Sequence, residues 1–240
     1  MPVTIQLGLK GRISYLSPIH LDVGSVGSTS SWAGSYHVLS MGRHYDDYIL
    51  TGMLMSLPTI PGFPMAHPFQ QLTGKIRAGG ITGNIGECVA ALFAQRYLST
   101  RLNQIAHVKP RRPFKSSKSP DYLMNISQSI STVFAGIIPQ GFSPIWPDWW
   151  PVESKARNST NESFKARNEA LKQLFAYWSQ FTNSQPSSVG FGLIVVFTYQ
   201  PPRQVRINLI LPLNQTDLIA ELNKGYKNRE ATLKPFLYEC

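Results

Sequence analysis

The longest apolar run in the chain covers residues 191–199, Phe-Gly-Leu-Ile-Val-Val-Phe-Thr-Tyr. A run of that length without polar alternation predicts a central β-strand covered on both faces. Residues 205–211 alternate instead, which predicts a strand nearer an edge of the same sheet. Upstream, Phe164, Leu171, Leu174, Phe175, Trp178 and Phe181 recur at helical spacing and predict the buried stripe of a helix from 162 to about 182. An earlier helix is predicted over 88–98, where Val89, Leu92, Phe93 and Tyr97 share a face. Asn84 and Glu87 precede it at capping-box spacing, so Glu87 has an ordinary explanation as a first-turn acid. Between these helices, residues 105–108, 121–126 and 153–157 read as strands. The 127–147 connection is longer than a hairpin loop needs, and its apolar part, 130–138, predicts a short helix or an inserted strand. Thr216 is the expected cap of a final helix over 217–223, and the basic tail from 224 to 240 is expected to be irregular.

Strands interleaved with helices from residue 82 onward predict an α/β fold with a central mixed β-sheet flanked by helices. Residues 1–80 differ, being rich in Gly, Ser, Pro and Thr. Residues 3–7 alternate, and 12–16 form the expected hairpin partner. Residues 24–35 read as a loop that lacks the Gly-Lys-Ser/Thr closure of a phosphate-binding loop. A short helix is expected near 44–55, followed by an irregular connection at Pro58, Pro61, Pro64 and Pro68. The chain therefore divides into an N-terminal, β-rich extension, 1–80, suited to partner docking or DNA contact, and a core, 81–240.

Charge narrows the class of partner. The balance of 23 Lys and Arg against 13 Asp and Glu leaves a formal net charge of +10, which favours a polyanion such as nucleic acid, or else an acidic subunit. Only two cysteines occur, Cys88 and Cys240, too few for a disulfide framework or a zinc cluster and consistent with a reducing, cytoplasmic setting. No basic and apolar leader pattern opens the chain, and no run reaches the ~18 apolar residues of a membrane span. The five histidines show no metal-ligand spacing, and no Gly-x-Ser-x-Gly elbow is present.

In a chain this poor in acids, the segment Glu153-Ser154-Lys155-Ala156-Arg157 and the Pro120-Asp121 pair carry the chemistry. Alternation along a strand puts Glu153, Lys155 and Arg157 on one face and turns Ser154 away. If the Asp121 strand pairs beside it, two carboxylates and an ammonium meet. Two carboxylates can hold a divalent cation, and a neighbouring lysine can orient a water. Just ahead of Asp121, Lys109, Arg111, Arg112, Lys115 and Lys118 form a loop with no acid, either a solvated linker or a grip on a phosphate backbone. Trp146, Trp149 and Trp150 either pack the core edge or stack on bases.

The order of elements, with an Asp opening one strand and Glu-x-Lys on the next, resembles the PD-(D/E)xK nuclease superfamily over roughly residues 82–211. That resemblance implies a restriction-endonuclease-like core and a Mg²⁺- or Mn²⁺-dependent endonuclease. Asp121 and Glu153 would bind the metal, Glu87 on the first helix would join them, and Lys155 would position the attacking water. The five-charge loop and Arg157 would contact the DNA backbone. The wide gap between Asp121 and Glu153 requires an insertion, and Ser154 stands where an apolar residue is more usual. DNA is favoured over RNA, a homodimer or a larger complex is expected for double-strand cleavage, and restriction or anti-phage defence is the implied setting. The other reading is a nucleic-acid-binding subunit on a nuclease-like scaffold that acts only within a complex.

Overall fold

A computed structural model describes residues 2–9, 12–20, 86, 89–90, 93–94, 97–101, 104–107, 120–157, 159–198, 204–224 and 230–238. The expected helix near 44–55 and the loop at 24–35 lie outside the described residues. Strands β1 (Pro2–Leu9) and β2 (Arg12–His20) come first, and Gly86, Val89, Ala90, Phe93, Ala94 and Tyr97 are helical. Then follow β3 (Ile105–His107), β4 (Tyr122–Met124), α1 (Ser127–Val133), β5 (Trp150–Arg157), α2 (Ser163–Trp178), β6 (Gly192–Thr198) and β7 (Gln204–Pro212). Helices α3 (Gln215–Asn223) and α4 (Glu230–Leu233) and the short strand β8 (Leu237–Tyr238) complete it.

The fold is mixed α/β, with a central mixed sheet in the order β2-β1-β7-β6-β5-β4-β3 and β8 on the far half of β7. Strands β3, β4 and β5 form an antiparallel meander. Helix α2 then carries the chain across to β6, which runs parallel to β5. Such a crossover needs a dozen or more residues, and the amphipathic α2 fills it. Every residue of β6 is buried because both faces are covered. Leu193, Val195 and Phe197 join one core with Tyr122, Trp150 and Val152. Ile194 and Val196 join the other with Leu171, Leu174, Phe175 and Trp178 of α2. Each such side chain contributes roughly 1.5–3 kcal/mol by burial. Trp178 is also fixed by its indole N–H, which donates to the Phe191 carbonyl at 3.1 Å. Gly190 admits the chain to β6 at φ +88°, and a Cβ there would lie 2.8 Å from Pro212 Cβ, so glycine is required on both counts.

Several expectations are corrected. β7 lies one place nearer an edge than the central β6, but it pairs with β6 on one side and β1 on the other, and is buried along most of its length. Its alternation reflects only its first residues, since β1 and β2 extend the sheet beyond it. Phe164 leaves the α2 stripe at 62 % exposure and lies under the Arg167 guanidinium, 4.6 Å from its ring centroid. Tyr177 takes a buried place instead. The α3 cap is Asn214, whose side chain accepts from the Asp217 amide at 3.2 Å, not Thr216. The tail is not wholly irregular, for α4 and β8 lie within it. No helix among the described residues is long and apolar enough to cross a membrane.

Candidate carboxylate–lysine site

The site forms where the β4 backbone ends. The β4–β5 ladder runs Met124↔Trp150, Leu123↔Pro151, Tyr122↔Val152 and then stops. Beyond it, side chains replace the missing strand bonds. The Asp121 amide donates to Glu153 Oε2 at 3.1 Å, and the Ser154 amide donates to Asp121 Oδ2 at 2.8 Å. Each strand thus supplies the carboxylate that satisfies the other's orphan N–H. The Ser154 hydroxyl adds a bond to Asp121 Oδ2 at 2.6 Å. Lys155 Nζ donates to Glu153 Oε1 and, at 3.2 Å, to the Ser154 carbonyl.

Two residues separated by 32 positions are thereby brought together, and the insertion between them folds clear as α1 and the turns after it. Its aromatic end packs rather than splays. Trp150 is fully buried, and Trp146 stacks on it with ring centroids 5.7 Å apart. Trp149 stays 40 % exposed. The other wall of the site strand is backed by the helical Gly86. A Cβ at this position would stand 3.1 Å from the Lys155 carbonyl carbon and the Ala156 nitrogen, so a larger residue would push the helix and the strand apart by a few tenths of an ångström.

Electrostatics are unbalanced here. Glu153 is fully buried. Burial first, and the Asp121 charge second, push its carboxyl up to about 8, against the pull of Lys155 in the other direction. With both acids ionised and Lys155 charged, the cluster carries a net negative charge among the described residues, which burial penalises. It is balanced when Glu153 keeps a proton or when a cation joins. The donors are hard carboxylate oxygens, which suit Mg²⁺ or Mn²⁺ bound by one or two carboxylates with waters and phosphate oxygens completing the shell. Among the described residues no group of three or more His, Cys, Asp or Glu could hold a metal ion, so Asp121 and Glu153 stand as a pair.

Asp121, Glu153 and Lys155 are therefore brought together. Glu87, Lys109, Arg111, Arg112, Lys115 and Lys118 lie outside the described residues. Arg157 is tied elsewhere: it donates to Glu169 of α2 and, at 2.9 Å, to the Ala156 carbonyl. Ser154 is the residue sequence reasoning missed. Alternation turned it away from Glu153, yet its amide and hydroxyl both hold Asp121. A small hydroxyl residue between Glu153 and Lys155 was the available signal. Comparison with protein-family models, curated proteins and solved structures gave no match.

Proposed function

We propose that this chain is a metal-dependent nuclease that hydrolyses phosphodiester bonds of DNA, on a restriction-endonuclease-like core of the PD-(D/E)xK kind. The observation that carries this reading is the meeting of Asp121, Glu153 and Lys155 in one buried-to-surface cluster at the end of β4. The element order supports it: a helical stretch, a three-strand antiparallel meander, a crossover helix and a parallel strand. The excess of positive charge suits a polyanionic substrate.

Asp121 and Glu153 would hold Mg²⁺ or Mn²⁺, which when bound supplies charge stabilisation at a phosphate oxygen. Ser154 fixes the Asp121 carboxylate through two hydrogen bonds. Lys155 gives two of its three N–H donors to Glu153 and the Ser154 carbonyl. The third can be given to a water or to a phosphate oxygen, so Lys155 orients the nucleophile rather than removing its proton. Glu153, with its carboxyl pushed up to about 8, can hold or release a proton near neutral pH. Restriction or anti-phage defence, through a homodimer or a larger complex, is the setting this chemistry serves.

The test is incubation with plasmid DNA, linear DNA and RNA in Mg²⁺ or Mn²⁺, with EDTA as the control. Cleavage should appear with metal, favour DNA, and disappear with EDTA. Asp121→Ala, Glu153→Ala and Lys155→Ala should each lose it. Wild-type cleavage matched by all three variants would remove the site from consideration. Retained DNA binding with no cleavage under any metal would replace a nuclease by a binding subunit.

A further inference from the structure

An open cavity of about 230 Å³ lies on the α2 side of the sheet, lined by Leu123, Trp149, Tyr177, Gln185 and Ser188. Leu123 follows Asp121 by two residues, so their Cα atoms lie within about 7 Å of each other. The cavity comes near Asp121 through Leu123 and shares no lining residue with the carboxylate cluster. Three features point to a ligand. Trp149 is 40 % exposed although its neighbours Trp146 and Trp150 pack inward. Tyr177 is only 8 % exposed, and among the described residues its hydroxyl has no hydrogen-bond partner. Burial alone pushes that phenol up to about 12, as expected for a polar group without a partner. Gln185 and Ser188 add two polar residues to the same lining.

We propose that this cavity binds an unpaired nucleobase flanking the phosphate held at Asp121 and Glu153, an inference that rests on the nuclease reading above. An aromatic wall accepts the π-face of any base. The amide and hydroxyl groups can meet the hydrogen-bonding edge of a base, and the buried Tyr177 hydroxyl gains a partner. The volume lies below the roughly 300–1,000 Å³ of a drug-sized site, which suits one flat ring system. A paired base is held in its stack and must be extruded to enter, so single-stranded or unpaired substrate is preferred.

The experiment compares two labelled strands of equal charge, a thymidine oligonucleotide and the same strand built of abasic sugar-phosphate units. Binding to the full chain is measured in EDTA, and cleavage is followed in parallel with Mg²⁺. The wild type should bind the base-bearing strand more tightly by roughly 5- to 100-fold. Trp149→Ala should erase most of that preference, Trp149→Phe should restore much of it, and Tyr177→Phe should reduce it by a few fold. Affinity for the abasic strand should stay unchanged throughout. Equal binding of both strands by the wild type, or an equal loss for both in Trp149→Ala, overturns the pocket. If cleavage still depends on Asp121 in that case, the nuclease reading survives alone. A Trp149-dependent base preference without cleavage under any metal overturns the nuclease reading and leaves a base-binding site.

Discussion

Two polar clusters stand at one level of the sheet, because Lys155 pairs with Val196, Val196 with Arg206 and Arg206 with Gln6. They are satisfied in different ways. Arg206 donates to Gln6 Oε1 at 3.2 Å, Ser163 Oγ at 2.9 Å and Gln204 Oε1 at 3.2 Å. All three acceptors are neutral, and together they fasten β1, β7 and the start of α2. At the other cluster, charged groups face one another, and Glu153 is pushed up to about 8 by burial and by Asp121. The arginine cluster closes on itself in hydrogen-bonding terms. Among the described residues the carboxylate cluster sets two acids against one lysine, and a strongly shifted acid of this kind marks a candidate site.

That division can be broken most directly by exchanging effects. Lys155→Met and Asp121→Asn should lower DNA cleavage by roughly 100- to 1,000-fold in a metal-dependent assay while the protein stays folded by circular dichroism. Arg206→Met should do the reverse. It should cost about 1–3 kcal/mol in urea unfolding and leave cleavage per folded molecule unchanged. Loss of cleavage in a folded Arg206→Met protein would erase the distinction.

The wall behind Lys155 sharpens the comparison at a similar scale. Gly86→Val would press a side chain against backbone atoms 3.1 Å from its first carbon. It should cost about 1–3 kcal/mol in the same unfolding assay and lower cleavage as well, since Lys155 sits on the displaced strand. The charge imbalance has its own signature. The folded Glu153 value of about 8 lies above the ordinary 4.5, so the folded state keeps a proton that the unfolded chain releases. Its contribution is full below about 4.5 and is lost as pH rises through about 8. Wild-type stability in EDTA should therefore decline on this account across that range, and Glu153→Gln should flatten the decline. Equal slopes would show that Glu153 is ionised throughout. The smallest effect belongs to Arg157. Its pair with Glu169 leaves both side chains partly exposed, at 25 % and 39 %, and Arg157→Gln should change stability by less than about 1 kcal/mol.

Much of the core was legible because its signals are local. The unbroken apolar run of β6 and the helical stripe of α2 follow from spacing alone, as does the shared face of Glu153 and Lys155. What failed was set by distant partners. β7 is screened from the sheet edge by β1, whose pairing residues lie about 200 positions away. Phe164 fell in the first turn of α2, beyond the reach of the core, and its ring found Arg167 instead. Asn214 rather than Thr216 capped α3, a shift of the kind capping residues often show when two candidates stand close together. Ser154 escaped because alternation describes where a side chain leaves the strand, whereas Asp121 comes to it from the end of the next one.

The double pairing of β7 also imposes a schedule. Its first half receives β1 at residues 204–208, and its last two positions receive β8. Strands β4, β5 and β6 can assemble soon after they are made, but β1 waits until β7 exists. Across a separation of 200 residues, translation at roughly 5–20 residues per second makes that wait about 10–40 s. A two-stranded hairpin is marginal on its own during this time. The edge of β1 that will meet β7 is then a row of unpaired backbone groups, open to any neighbouring strand. The nascent chain thus carries an open strand edge at β1 until residues 204–208 are made and cover it.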